Sequence, residues 1–208
     1  MASSLLKFLA CCMLLASTIG ASVVKPESRK IDHLLAKKAG IRYEPEPVDM
    51  RGGKWIKLNP LHEVCFEARG DKPGQFVHYG TSGLVGAIKL VWKSGHVRCV
   101  SNVAHDSRWG CYHYSSLMKY PLNVVITDNY KNIIFPKYED IQRKAGLWYS
   151  LPMMDDKHSD EIVFTEFAKP LYIQQYKTLK VWYGEDLNNW AETDNQGRVC
   201  VDVYGRFM

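Results

Sequence analysis

Beyond its first twenty residues the chain lacks any uninterrupted apolar run near the 18 or so residues that a membrane-spanning helix needs, so no transmembrane segment is expected. It has no Asn-x-Ser/Thr triplet, which removes the usual acceptor for N-linked glycan. No two cysteines stand in a Cys-x2-Cys pair, which argues against a structural zinc site. Neither sign of charge dominates. Lys and Arg number 27 against 22 Asp and Glu, a net charge of +5 over 208 residues, too dilute for the basic face that nucleic-acid binders present. Catalytic signatures are missing too. His62-Glu63 begins like a metalloprotease helix, but Phe66 stands where the second histidine belongs. Ser82, in Tyr79-Gly80-Thr81-Ser82-Gly83, does not complete a Gly-x-Ser-x-Gly elbow, and no helix follows Gly80, Gly83 and Gly86 to make a phosphate cradle. The expectation is a protein that is not an enzyme. With 46% hydrophobic and 24% charged residues the chain is too apolar for disorder and has neither collagen nor coiled-coil composition.

What is present begins with an N-terminal export signal. Lys7 precedes an apolar run from Phe8 to Leu15, and small residues follow through Ser22, so residues 1–20 read as a signal peptide cleaved after Gly20. The expected location is therefore extracellular. Residues 21–53 read as a tether or propeptide: Glu27–Lys38 suits a short basic helix with Ile31, Leu34 and Leu35 on one face, and Glu44-Pro45-Glu46-Pro47 blocks its continuation. The main domain is expected over residues 54–208.

Removing the signal peptide leaves four cysteines, and an even number in an oxidising compartment reads as two disulfides. Three connectivities are open. The short separation of Cys99 from Cys111 favours a local clamp, which leaves Cys65 to pair with Cys200 and tie the start of the domain to its end.

From Lys54 onward, short β-branched and aromatic segments alternate with Gly, Pro, Asn and Asp. Strands are expected at Lys54–Leu58, His62–Ala68, Gln75–Tyr79, Val85–Trp92, Val97–Val100, Leu122–Thr127, Ile133–Phe135, Leu147–Ser150, Glu161–Phe167, Leu179–Tyr183 and Arg198–Tyr204. In the last, Val199, Val201 and Val203 alternate with Cys200, Asp202 and Tyr204. The one helical expectation in the domain is Tyr138–Ala145. The predicted fold is an all-β, disulfide-linked antiparallel sandwich, jelly-roll-like, with a short N-terminal helical or extended segment.

Chemistry-bearing residues concentrate between the last two expected strands. Glu185, Asp186, Asp194 and Asn195 supply hard oxygen atoms in one connection, a composition that suits Ca²⁺, although the same residues are ordinary turn formers. Trp109 and Trp190 fall in polar, turn-like surroundings and are the expected exposed aromatic platforms for a ligand. His96, His105 and His113 surround the Cys99–Cys111 clamp, and the neighbouring His105 and Asp106 are the one candidate general-base pair.

The segments Asn59-Pro60-Leu61-His62-Glu63-Val64-Cys65-Phe66, Trp109-Gly110-Cys111, Trp182-Tyr183-Gly184-Glu185-Asp186-Leu187 and Cys200-Val201-Asp202-Val203-Tyr204 resemble a group of secreted cnidarian proteins that includes sequences related to coral skeletal organic matrix. The resemblance spans about residues 54–208 and carries no active-site residue. It implies extracellular deposition and a role in matrix assembly or biomineralization. Two functional expectations follow. The first is a non-enzymatic extracellular matrix-associated protein that needs no cofactor and binds a matrix protein or glycan. The alternative is a calcium-dependent lectin-like domain, with Ca²⁺ on the Glu185–Asn195 connection and Trp190 stacked on a sugar.

Overall fold

A computed structural model describes residues 54–208. The expected signal peptide and the Glu27–Lys38 helix lie outside the described residues. Ten strands, β1 (Trp55–Lys57), β2 (Val64–Glu67), β3 (Gly74–Val77), β4 (Gly83–Arg98), β5 (Val124–Thr127), β6 (Ile133–Phe135), β7 (Glu161–Thr165), β8 (Leu171–Ile173), β9 (Thr178–Tyr183) and β10 (Gln196–Phe207), form two antiparallel sheets. In the larger, six-stranded sheet the long β4 and β10 lie side by side; β1 and β2 continue it beyond β10, and β7 and β8 beyond β4. The smaller sheet runs β3–β9–β5–β6. The all-β expectation holds.

Alternation explains how the sheets close on each other. Val199, Val201 and Val203 of β10 are fully buried, as are Val85, Ile88 and Leu90 of β4 and Val124, Val125 and Ile126 of β5. Phe135 of β6 and Phe164 of β7 stack with centroids 5.8 Å apart, joining one sheet to the other through the core. The polar side of β10 is also organised: Asp202, nearly buried, receives Lys57 Nζ at 2.8 Å and Asn59 Nδ2 at 3.2 Å.

Both disulfides pair as the short-clamp argument favours. Cys65 and Cys200 are directly opposed on β2 and β10, and their bridge closes a separation of 135 residues; Cys99 and Cys111 close one of 12. Beside the first bridge, β4 and β10 approach so closely that a Cβ on Gly95 would meet Arg198 O at 2.1 Å, and one on Gly197 would meet His96 O at 2.1 Å. Both glycines have positive φ, +81° and +99°, so glycine is required at both for space and for backbone conformation.

Several local expectations are corrected. Val85–Trp92 and the first two residues of Val97–Val100 belong to one 16-residue strand, β4, which ends at Arg98, because Lys93-Ser94-Gly95 stays along β10 through a bulge instead of turning. Leu147–Ser150 makes only isolated bridges, Tyr149 to Leu122 and Trp148 to Arg143. Tyr138–Ala145 holds no α-helix, only short 3-10 turns at Tyr138–Asp140 and Ala145–Leu147. The α-helix that does form among the described residues, α1 (Gly184–Asn188), follows β9 directly.

Candidate functional site

Two segments distant in sequence meet at one end of the sandwich: the turn 68–73 between β2 and β3, and the connection 184–195 between β9 and β10. Buried Asn123 fixes the start of the second. Its carbonyl accepts the Gly184 N–H at 2.6 Å, its Oδ1 accepts the Glu185 N–H at 3.1 Å, and its Nδ2 donates to Gly146 O at 2.6 Å. These bonds start α1 where β9 ends. Asn189 then adopts a left-handed conformation at φ 48°, which stops the helix, and the Trp190 N–H donates back to Glu185 O at 2.9 Å. Trp190 emerges from this cap 47% exposed.

The first two acidic residues of the connection turn inward. Glu185 is buried, with Oε1 accepting Trp148 Nε1 at 3.0 Å. Burial pushes its carboxyl up to about 7, the nearby Asp194 adds to the rise, and bonds from Trp148 and Asn195 with the charge of Arg143 oppose it. Asp186 is fully buried and accepts the Asp71 N–H at 2.7 Å and the Lys72 N–H at 3.1 Å. Its carboxyl is raised to about 6, chiefly by burial and further by Glu192, while the two backbone donors pull it down. Around this pair, Gly70 N–H reaches Glu192 Oε2 at 3.3 Å, Arg69 Nη1 donates to Thr193 O at 2.8 Å, and Asn195 Nδ2 donates to Ala68 O at 3.2 Å. The turn and the connection are thus stitched into one surface. Asn195 Oδ1 is buried there without a hydrogen-bond partner among the described residues.

The four residues expected to share Ca²⁺ are not gathered as a ligand set. Successive helical residues point about 100° apart, so Glu185 faces Trp148 while Asp186 faces the 68–73 turn. Asp194 is exposed and Asn195 is buried. Among the described residues, the one group of three His, Cys, Asp or Glu side chains close enough to share an ion is Glu63, Cys65 and Cys200, and those two sulfurs are bonded to each other.

Next to the stitched turn, Glu67, Arg69, Gln196, Gly197 and Arg198 line an open cleft of about 510 Å³. Arg198 lies across from Glu67 of β2 and His96 of β4. Glu67 is neutralised by Lys72 Nζ at 2.8 Å, and Gln196 Oε1 accepts from Arg98. Arg69 and Arg198 were not singled out from the sequence. Its one visible signal was the charged run Arg69-Gly70-Asp71-Lys72 ahead of Pro73, which reads as a turn but does not reveal what faces it.

Trp109 corrects an expectation: it is fully buried and cannot serve as an exposed platform. The turn around it is polar because Ser107 Oγ accepts the Trp109 and Gly110 N–H groups and donates to Asp156 O, while the indole enters the core and donates to Ser159 O at 2.8 Å. His105 and Asp106 do not form a pair either. His105 Nδ1 bonds to Tyr112 O at 2.7 Å, and Asp106 is held by Arg98 Nη1 at 2.8 Å. His113 stacks on Tyr112, with centroids 4.0 Å apart.

No protein-family model matches the chain, and no curated protein matches it. A solved structure does: AJLec from the sea anemone Anthopleura japonica, at 38% sequence identity and a TM-score of 0.68, over 75% of this chain and 98% of that one. The match agrees with the cnidarian part of the resemblance and adds nothing to its skeletal-matrix part. Near-complete coverage of AJLec at that identity establishes that the chain belongs to the same family as AJLec.

Proposed function

We propose that the protein is an extracellular, lectin-like carbohydrate-binding protein that acts through the surface carrying Trp190. The observation that carries this reading is the similarity to AJLec, whose name is that of a lectin, across nearly the whole of that chain. It favours the alternative drawn from the sequence over a matrix-assembly role. The site chemistry is in keeping with it. A half-exposed indole offers a flat apolar face for the C–H side of a sugar ring. Two disulfides support an extracellular place.

Calcium enters as part of the proposal. Bringing Asp194 and the uncommitted Asn195 Oδ1 onto an ion would require the connection to rearrange, so a calcium-dependent site would be assembled by the ion and not preformed. Affinity chromatography on immobilised monosaccharides tests the reading. Retention and elution by the free sugar, with loss of retention in Trp190→Ala, is expected; passage through every resin would contradict it.

A further inference from the structure

We infer that the cleft between Arg69 and Arg198 is a subsite for an acidic group on the glycan, a sulfate ester or a uronate carboxylate. The inference rests on the carbohydrate-binding reading and adds the chemical class of the ligand. Three observations carry it. First, neither arginine has a carboxylate partner among the described residues, whereas Arg98 and Arg108 are paired with Asp106 at 2.8 Å and Asp160 at 2.6 Å. Arg198 is exposed, with no side-chain hydrogen bond or ion pair among the described residues. Second, the acidic residue in the lining, Glu67, is engaged by Lys72, so it does not spend the charge of either arginine. Glu192 accepts from Gly70 N–H and faces Asp186, which leaves exposed Asp194 as the neighbouring carboxylate in this connection with no ion-pair partner among the described residues.

Third, the Arg69 guanidinium is held in place and Arg198 is anchored at its backbone. Arg69 is tethered by Nη1 to Thr193 O at 2.8 Å, leaving its other donors unspent. Arg198 rises from β10 where that strand is paired on both sides, two residues from the Cys65–Cys200 bridge. A guanidinium presents a planar fork of N–H donors that matches two oxygens of a sulfate or carboxylate, and a donor already held in place loses less freedom on binding. Between Gln196 and Arg198 the lining residue Gly197 carries no side chain, and a Cβ there would meet His96 O at 2.1 Å.

The test is a binding titration of the full chain with three probes: a sulfated hexose oligosaccharide, its desulfated counterpart and an oligouronate. The sulfated probe or the uronate should bind about tenfold more tightly than the neutral one, with an advantage that shrinks as salt is raised. Arg198→Ala and Arg69→Ala should each remove most of that advantage while leaving the neutral probe within about twofold, and Arg198→Lys should restore only part of it. An unchanged melting temperature in these variants shows that folding is intact. Equal binding of acidic and neutral probes overturns the subsite and leaves the carbohydrate reading standing. Failure of all three probes overturns the subsite, and joined by an empty glycan array it overturns the carbohydrate reading as well.

Discussion

Replacing Glu185 by Gln should stabilise the protein at alkaline pH and change little in acid. In the folded chain the Glu185 carboxyl is raised from 4.5 to about 7, with burial as the largest cause. Such a group is most comfortable protonated. Its contribution to folding is therefore most favourable below about 4.5, is lost as pH climbs toward 7, and is a constant cost above that. A rise of that size corresponds to about 3 kcal/mol of disfavoured charge at pH 8, an order-of-magnitude figure. The amide removes the charge and keeps an oxygen to accept Trp148 Nε1. Chemical denaturation of both proteins at pH 4 and pH 8 measures the difference directly. A gain of roughly 2–3 kcal/mol at pH 8 that falls within about 0.5 kcal/mol at pH 4 is expected. A difference independent of pH, or a loss of stability at pH 8, would refute the argument that buried charge is what the site resists.

Asp186→Ala should cost about 2–4 kcal/mol, because it strands the Asp71 and Lys72 N–H groups, and hydrogen exchange should accelerate at those two amides in particular. Removing the Cys65–Cys200 bridge by paired serine substitution should cost about 5 kcal/mol on the chain-entropy estimate, against about 3 for Cys99–Cys111; the reverse order in denaturation midpoints would contradict the loop-length argument. Trp190→Ala should reduce glycan affinity about tenfold while moving the melting temperature little, since the indole is half-exposed; a large fall in melting temperature would show that Trp190 serves the fold.

Sequence pattern reached the fold further than it reached the site. The valines of β10 and the turn residues between strands are local signals of a half-buried sheet, and the paired disulfides followed from number and spacing. β8 (Leu171–Ile173) escaped notice because three residues ending in an apolar Ile carry no period. Helix α1 was hidden for a different reason: its start is set by Asn123, a buried side chain some sixty residues earlier. The acidic connection was visible as a composition, but where each carboxylate goes depends on non-local donors. Trp148 captures Glu185 and the Asp71–Lys72 backbone captures Asp186, so a loop that looked like a set of cation ligands is largely internal scaffolding. Trp109 shows the same lesson in reverse, as polar neighbours marked a turn in the backbone while the indole turned into the core.

Carbohydrate binding by this chain is tested by a glycan array probed with the full protein, in calcium and again in EDTA. Saturable binding to a defined set of glycans, lost in Trp190→Ala, is expected. Loss of that binding in EDTA as well would assign an ion to the 184–195 connection. No binding to any glycan under either condition would contradict the claim.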